Sequence, residues 1–559
     1  MLDRSVTMRQ SGTIRIRLFA SAVALASALA FAQTAAPEKP AVSEFRIAGV
    51  LVSKTDGHPL SRARVTIGDT KDSKNVQSMI TAEDGKFEFK RLAKGKYALE
   101  AAKRGFITAA YDQHDQFSTA IVTGAGLDTE HLTMKIAPDA VITGRVLDEA
   151  GEPVRHATVL IYYDDHTEGV DQISVYHTVQ TDDQGVYEAT PLRPGTYFVA
   201  ANGRPWYAMH GQSQRGSATA AGVDRALDVA YPVTYYADVT DTDSATPIPI
   251  RGGERVQVDI HLTPVPALTV RFHAPQESNG SEDRNRFNVP QLEQQAFEGS
   301  TQVQAADLVE ISPGEWELAG IPAGRYNVRI PGSGTLLDGV DLNRNGEVID
   351  TSKGEALSSV SISVRMPEGV VRPKQLGVAL RGKGRSIAGF GVVDAKGNLD
   401  IPNVAPGRYR LVAFGSNNRY SIGHISAEGA EVDGETVTIG SAASVSLNVA
   451  LVAGSGDVQG VVKMGGKGFA GAMVVLVPKN PEGNRDLFRR DQSDLDGTFR
   501  MRGVIPGSYT IIAIENGWDL DWSQPEVISA YAKHGRTVEV GSRAGGTVRV
   551  ADAVEVVPR

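Results

Sequence analysis

Residues 84–99 read Asp84-Gly85-Lys86-Phe87-Glu88-Phe89-Lys90-Arg91-Leu92-Ala93-Lys94-Gly95-Lys96-Tyr97-Ala98-Leu99. Asp84-Gly85 suits a tight turn that needs positive φ. Phe87 and Phe89 alternate with Glu88 and Lys90, so the rings share one face of a strand and the charges the other. Leu92 fills the connection, Lys94-Gly95 turns the chain again, and Tyr97 and Leu99 face inward on a second strand. The pattern leaves open whether these strands pair as a hairpin or cross between two sheets.

The same spacing recurs. Gln184-Gly185 is followed by Gly195-Thr196-Tyr197, Pro313-Gly314 by Gly324-Arg325-Tyr326, Lys396-Gly397 by Gly407-Arg408-Tyr409, and Asp496-Gly497 by Gly507-Ser508-Tyr509. In all five copies the glycines are ten residues apart and the tyrosine is two further on. Inward pairs repeat with it, as Leu399/Ile401 with Tyr409/Leu411 and Phe499/Met501 with Tyr509/Ile511. A fixed internal spacing in unevenly placed copies marks a structural module used five times.

Upstream, modules one, two and five open alike. Phe45–Val52, the turn Thr55-Asp56-Gly57-His58-Pro59 and Ala63–Ile67 correspond to Ile142–Val146, Glu149–Pro153 and Ala157–Ile161. They correspond again to Gly460–Val462, Gly465–Gly468 and Ala472–Leu476. Modules three and four begin more loosely, at Ala267–Phe272 and Gln375–Leu380. Downstream, each module closes on a period-two strand: His131–Ile136, Val256–Leu262, Val360–Val364, Val445–Leu451 and Thr547–Val550. Roughly seven short strands per module, with turn residues between them, predict an all-β tandem array of antiparallel β-sandwiches. The expected boundaries are 44–137, 138–265 with a long loop insertion, 266–365, 366–452 and 453–559. Short linkers predict an elongated, end-to-end arrangement.

The full repeat, G-x-V, G-x-P, A-x-V, D-G-x-F-x-F and L-x-P-G-x-Y-x-L-x-A, resembles the carboxypeptidase regulatory-like domain. Modules one, two and five match closely, and three and four keep the second half. The resemblance implies a transthyretin-like sandwich grouped with carbohydrate-binding-like folds. It carries over no catalytic residue.

The chain of 559 residues has a net charge of -9, which argues against a nucleic-acid partner. Arg9, Arg15 and Arg17, the apolar run Leu18–Ala30 and the site Ala30-Phe31-Ala32 predict a signal peptide over 1–32, with Met8 an alternative start. A linker follows over 33–43. No later segment is apolar for long enough to span a bilayer. The chain has no cysteine, which excludes disulfides, thiolate metal sites and thiol nucleophiles. Export without disulfides points to a bacterial periplasm or exterior.

The candidate sites lie where the repeat is broken. The insertion of module two brings Trp206, Tyr207, Tyr231, Tyr235 and Tyr236, which either stack on sugar rings or fold back to cap the sandwich. Module five carries Trp518 and Trp522 ahead of a predicted helix with Ser523 as N-cap, Pro525 in its first turn and Gly535 at its end. These rings either pack the helix onto the sheet or form a ligand platform. Asp341-Leu342-Asn343-Arg344-Asn345-Gly346 matches half of a calcium loop. Ser352 replaces the closing glutamate, so a hairpin turn at Asn345-Gly346 is expected instead. The 11 histidines form no ligand spacing, His156, His166 and His177 included. No cofactor is expected. The expected function is non-catalytic binding of carbohydrate or another envelope ligand. A structural or adhesive stalk with a protein partner is the alternative, and an unrecognised hydrolase a remote one.

Overall fold

The computed structural model describes residues 44–559 except 168, 170, 212–223, 274–290, 298, 304–306, 314, 331–334, 351–353, 367–371, 374, 383–386, 415–419, 442–443, 454–455, 483, 485–486 and 542–545. The expected signal peptide and linker, Gly314 and Ser352 therefore lie outside the described residues. Strands make up nearly all the regular structure. No helix of the described residues is long and apolar enough to cross a membrane.

In the first sandwich, Lys86–Leu92, Phe45–Ser53 and Leu132–Ile136 form one sheet. Val76–Ile80, Arg64–Asp69 and Lys96–Ala102 form the core of the other. Ile47, Leu51, Phe87, Phe89 and Met134 from the first sheet meet Val65, Ile67, Tyr97 and Leu99 from the second in one buried core. The two strands flanking Gly95 thus lie in opposite sheets, and the chain crosses between layers at Ala93-Lys94-Gly95.

This crossing is repeated five times with the same chemistry. The tyrosine hydroxyl donates back to the carbonyl four residues upstream. The bonds are Tyr97 to Ala93 at 3.0 Å, Tyr197 to Arg193 at 2.8 Å, Tyr326 to Pro322 at 2.6 Å, Tyr409 to Ala405 at 2.7 Å and Tyr509 to Ile505 at 2.8 Å. The arrangement is a tyrosine corner. It accounts for the glycine two residues before the tyrosine in the third and fourth copies, where the ring leans back over that position. A Cβ on Gly324 or Gly407 would lie 3.3 or 3.1 Å from the ring and hydroxyl of its own tyrosine. A β-bulge precedes each corner, in the pairing of the crossing strand with the first strand of its sandwich.

Each sandwich departs from purely antiparallel pairing at its first strand, and the last does so again where Val554–Pro558 runs parallel to Gly507–Glu515. A strand late in each sandwich runs parallel to its first, as Gly49 opposite Leu132 and Val360 opposite Val445. That pairing corrects one expected boundary. Ser358–Arg365, read as the closing strand of the third module, pairs with Asn398–Val404 and Ser444–Ala453 and so opens the fourth sandwich. In the third, the strand parallel to the first is Glu347–Asp350, against Val265–His273, and Glu355–Ala356 completes its other sheet. A first and a last strand lie side by side in one sheet with the same in–out alternation, so periodicity does not distinguish them. The expected first strand at Gln375–Leu380 is accordingly the second strand of its sandwich, Gly377–Arg381.

Two further expectations are corrected. The sandwiches are not related only end to end: residues 112–120 of the first contact residues 490–495 of the last. The helix forms at Pro525–Ala532, but its N-cap is Gln524, without a side-chain cap. Ser523 is turned away and donates its hydroxyl to the Gly169 carbonyl at 3.1 Å. Trp522 and Ile528 do pin this helix to the sheet, buried with Val475, Ile512 and Ile514.

Candidate ligand-binding site

The long segment of the second sandwich leaves strand Gly195–Asn202 and carries Trp206 to the surface, where it is 80% exposed. The preceding Pro205 is buried, and Tyr207 meets the indole edge-on, with ring centroids 5.8 Å apart. Tyr207 and Tyr231 both donate their hydroxyls to the Glu149 carboxylate, Tyr231 at 2.9 Å. Glu149 belongs to the turn between the first two strands, so these bonds tie the segment to the sandwich edge. Desolvation pushes the Glu149 carboxyl up, but hydrogen bonds from Tyr207, its own backbone N–H and Tyr231 together outweigh it and hold the group below its ordinary range. Desolvation and the same hydrogen bond push the Tyr207 phenol up to about 12.

Next to this triad lies a cavity of about 460 Å³, bordered by Trp206, Tyr231, Arg204, Arg155, Glu152 and Asp148. An open indole face beside planar guanidinium and carboxylate groups offers stacking to the apolar face of a sugar ring and hydrogen bonds to its hydroxyls. Glu149, Arg155 and Arg204 were missed in the sequence because the connection holding Glu149 and Arg155 meets the segment holding Arg204 only in the fold.

The other candidates are packed. Tyr235, 3% exposed, joins Tyr162 and Phe297 in the core shared by the second and third sandwiches. Tyr236 packs half-buried against the core of the second. Trp518 stacks on His114 of the first sandwich, centroids 4.8 Å apart, and donates its indole N–H to the Gly471 carbonyl at 3.4 Å. Trp522 is 5% exposed, under the guanidinium of Arg490 at 4.3 Å from its ring centroid. Arg490 itself is buried where three sandwiches meet, bonding Asp115 of the first at 3.0 Å and the Thr167 carbonyl of the second. Burial pulls its guanidinium below the ordinary value, and Asp115 partly offsets this. The module-five tryptophans are thus interface residues, which a sequence pattern cannot separate from a ligand platform.

Asn345 and Gly346 do form a turn, tied to Thr269 by bonds of 2.8 Å from the Thr269 N–H to the Asn345 side chain and from the Gly346 N–H to the Thr269 carbonyl. It is not a hairpin, because the strands on either side, Thr335–Leu342 and Glu347–Asp350, lie in different sheets. Among the described residues no group of three His, Asp or Glu is placed to hold a metal ion.

No curated protein matches the sequence. Among solved structures, the Bacillus anthracis TIE protein is similar at 10% identity over 93% of this chain and 76% of that one, with a TM-score of 0.16. A minor pilin of Streptococcus agalactiae is similar at 14% identity over 42% of this chain and 99% of its own, with a TM-score of 0.20. Two B repeat units of the collagen-binding protein of Staphylococcus aureus are similar at 12% identity over 73% and 99%, with a TM-score of 0.13. The family model for the carboxypeptidase regulatory-like domain matches residues 46–129. That match falls on the first sandwich, whose crossing strands and tyrosine corner are thus similar to those of a carboxypeptidase regulatory-like domain.

Proposed function

We propose that this chain is an exported, non-catalytic protein of the bacterial envelope that binds carbohydrate at the Trp206 cavity of its second sandwich. The observation that carries the reading is the 80% exposure of the Trp206 indole beside a cavity of about 460 Å³ with charged walls. A bare indole of that size costs solvation unless something covers it. Neutral sugars suit the combination of a ring face with carboxylate and guanidinium groups. The test is a glycan-array screen of residues 33–559, followed by calorimetry on the best glycan. The Trp206→Ala protein is expected to lose most of the affinity, roughly 1–3 kcal/mol for a stacked ring. Unchanged affinity sinks the assignment of the site.

The alternative, a structural or adhesive spacer with a protein partner, is favoured by a different observation. Arg490, Trp518 and Trp522 fasten the last sandwich to the first two, which suits load-bearing. Failure of the whole array with the wild-type protein puts this reading first.

A further inference from the structure

A second cavity, of about 660 Å³, opens between the first and the last sandwich. One wall is the outward face of strands Thr498–Val504, Gly456–Met464 and Thr547–Arg549. The register sets Arg500, Gln459 and Arg549 side by side on these three strands. Arg502 is two residues beyond Arg500, so both project from the same face, and both are exposed. The facing wall contributes Lys71 and Lys96 from the first sandwich.

Five cations therefore border one cavity in a chain whose net charge is -9. Two are compensated: Lys96 by Asp494, and Arg500 by Asp457. Lys71, Arg502 and Arg549 have no acidic partner among the described residues. Gathering unpaired like charges in a concave site raises the local potential, which an anion entering the site relieves. Arginine forks match planar oxyanions in two-point contact. Gln459, Thr70 and Ser118, also on the walls, supply neutral partners for hydroxyl groups. The aromatic residue bordering the site, Phe499, is 3% exposed and belongs to the core, so it offers no platform for a nucleobase.

We propose that this cavity binds an acidic saccharide, a sugar bearing carboxylate or sulfate groups, through Arg502, Arg549 and Lys71. The site is separate from the Trp206 cavity and does not depend on it. The test is calorimetry with an oligogalacturonate, a heparin-derived oligosaccharide, a neutral oligoglucan and a single-stranded oligonucleotide of matched charge. The two acidic saccharides distinguish carboxylate from sulfate as the recognised group. The wild-type protein is expected to bind at least one of them, more weakly as salt rises, and not the neutral one. The double substitution Arg502→Gln with Arg549→Gln, at two exposed positions, is expected to weaken binding on the order of tenfold or more, while Trp206→Ala leaves it unchanged. Its fold is checked by an unaltered unfolding midpoint. Binding of neither acidic saccharide overturns the proposal, as does equal affinity for the oligonucleotide or undiminished binding by the double variant.

Discussion

Asp491 lies half-buried on strand Arg489–Gln492, where the Arg500 backbone N–H donates to its carboxylate at 2.6 Å. Desolvation pushes its carboxyl up to about 7, with the charge of Asp494 adding to the effect and the charge of Lys96 and the backbone donors opposing it. The folded chain therefore holds this proton more tightly than the unfolded chain does. The sign follows from linkage: the group favours the folded state most below about pH 4, and that contribution is lost as pH rises from about 4 to about 7. Asp491→Asn keeps an acceptor for Arg500 without the charge. Its unfolding midpoint is expected to exceed that of the wild type at pH 8 and to match it near pH 4. A scan of midpoint against pH checks this, and parallel curves for the two proteins would refute it.

Strand pairs explain why some glycines in the repeat are part of its signature. Gly144 lies in the first strand of the second sandwich where the last strand passes alongside, and a Cβ there would come 1.7 Å from the Val258 carbonyl oxygen. Gly49 meets Leu132 in the same way, at 2.2 Å from its carbonyl oxygen. The obstruction is backbone, so it cannot be relieved by turning a side chain. Gly144→Ala is expected to cost about 3 kcal/mol, measured as a lowered denaturant midpoint, whereas Gly151→Ala, with open space at its Cβ, is strained only by its φ of 78°. The G-x-V motif was thus legible as a strand signature, while the reason for its glycine lay in a partner strand about a hundred residues away. The tyrosine corner was legible as a spacing for the same reason in reverse: its ring, its glycine and its carbonyl acceptor all fall within five consecutive residues.

The second and third sandwiches share an apolar core, whereas the last sandwich is joined to the first two through a small set of polar and aromatic residues. Arg490 joins Asp115, the Thr167 carbonyl and the rings of Trp518 and Trp522. Gln492 adds bonds to Thr119 at 2.8 Å and to the Asp112 carbonyl, and the Leu495 N–H reaches the Ala120 carbonyl at 3.0 Å. Removing one member of such a buried set leaves its partners unpaired, at about 3–5 kcal/mol. Arg490→Ala is therefore expected to uncouple the last sandwich from the first two. Scanning calorimetry should then resolve a separate, earlier transition for the last sandwich. A single transition at the wild-type temperature would show that this arginine does not couple them.

The all-β class, the five copies, the turn glycines and the inward residues of each crossing strand were all written in local order, because alternation and turn chemistry act over two to ten residues. The assignment of Ser358–Arg365 to the fourth sandwich was not, since two parallel neighbours in one sheet carry the same alternation. Nor was the fate of the aromatic candidates. Trp206 and Trp522 are alike as residues, yet one is bare and the other is buried under Arg490. What separates them is the approach of strands and of a neighbouring sandwich from tens to hundreds of residues away in the chain, and no local pattern encodes that distance.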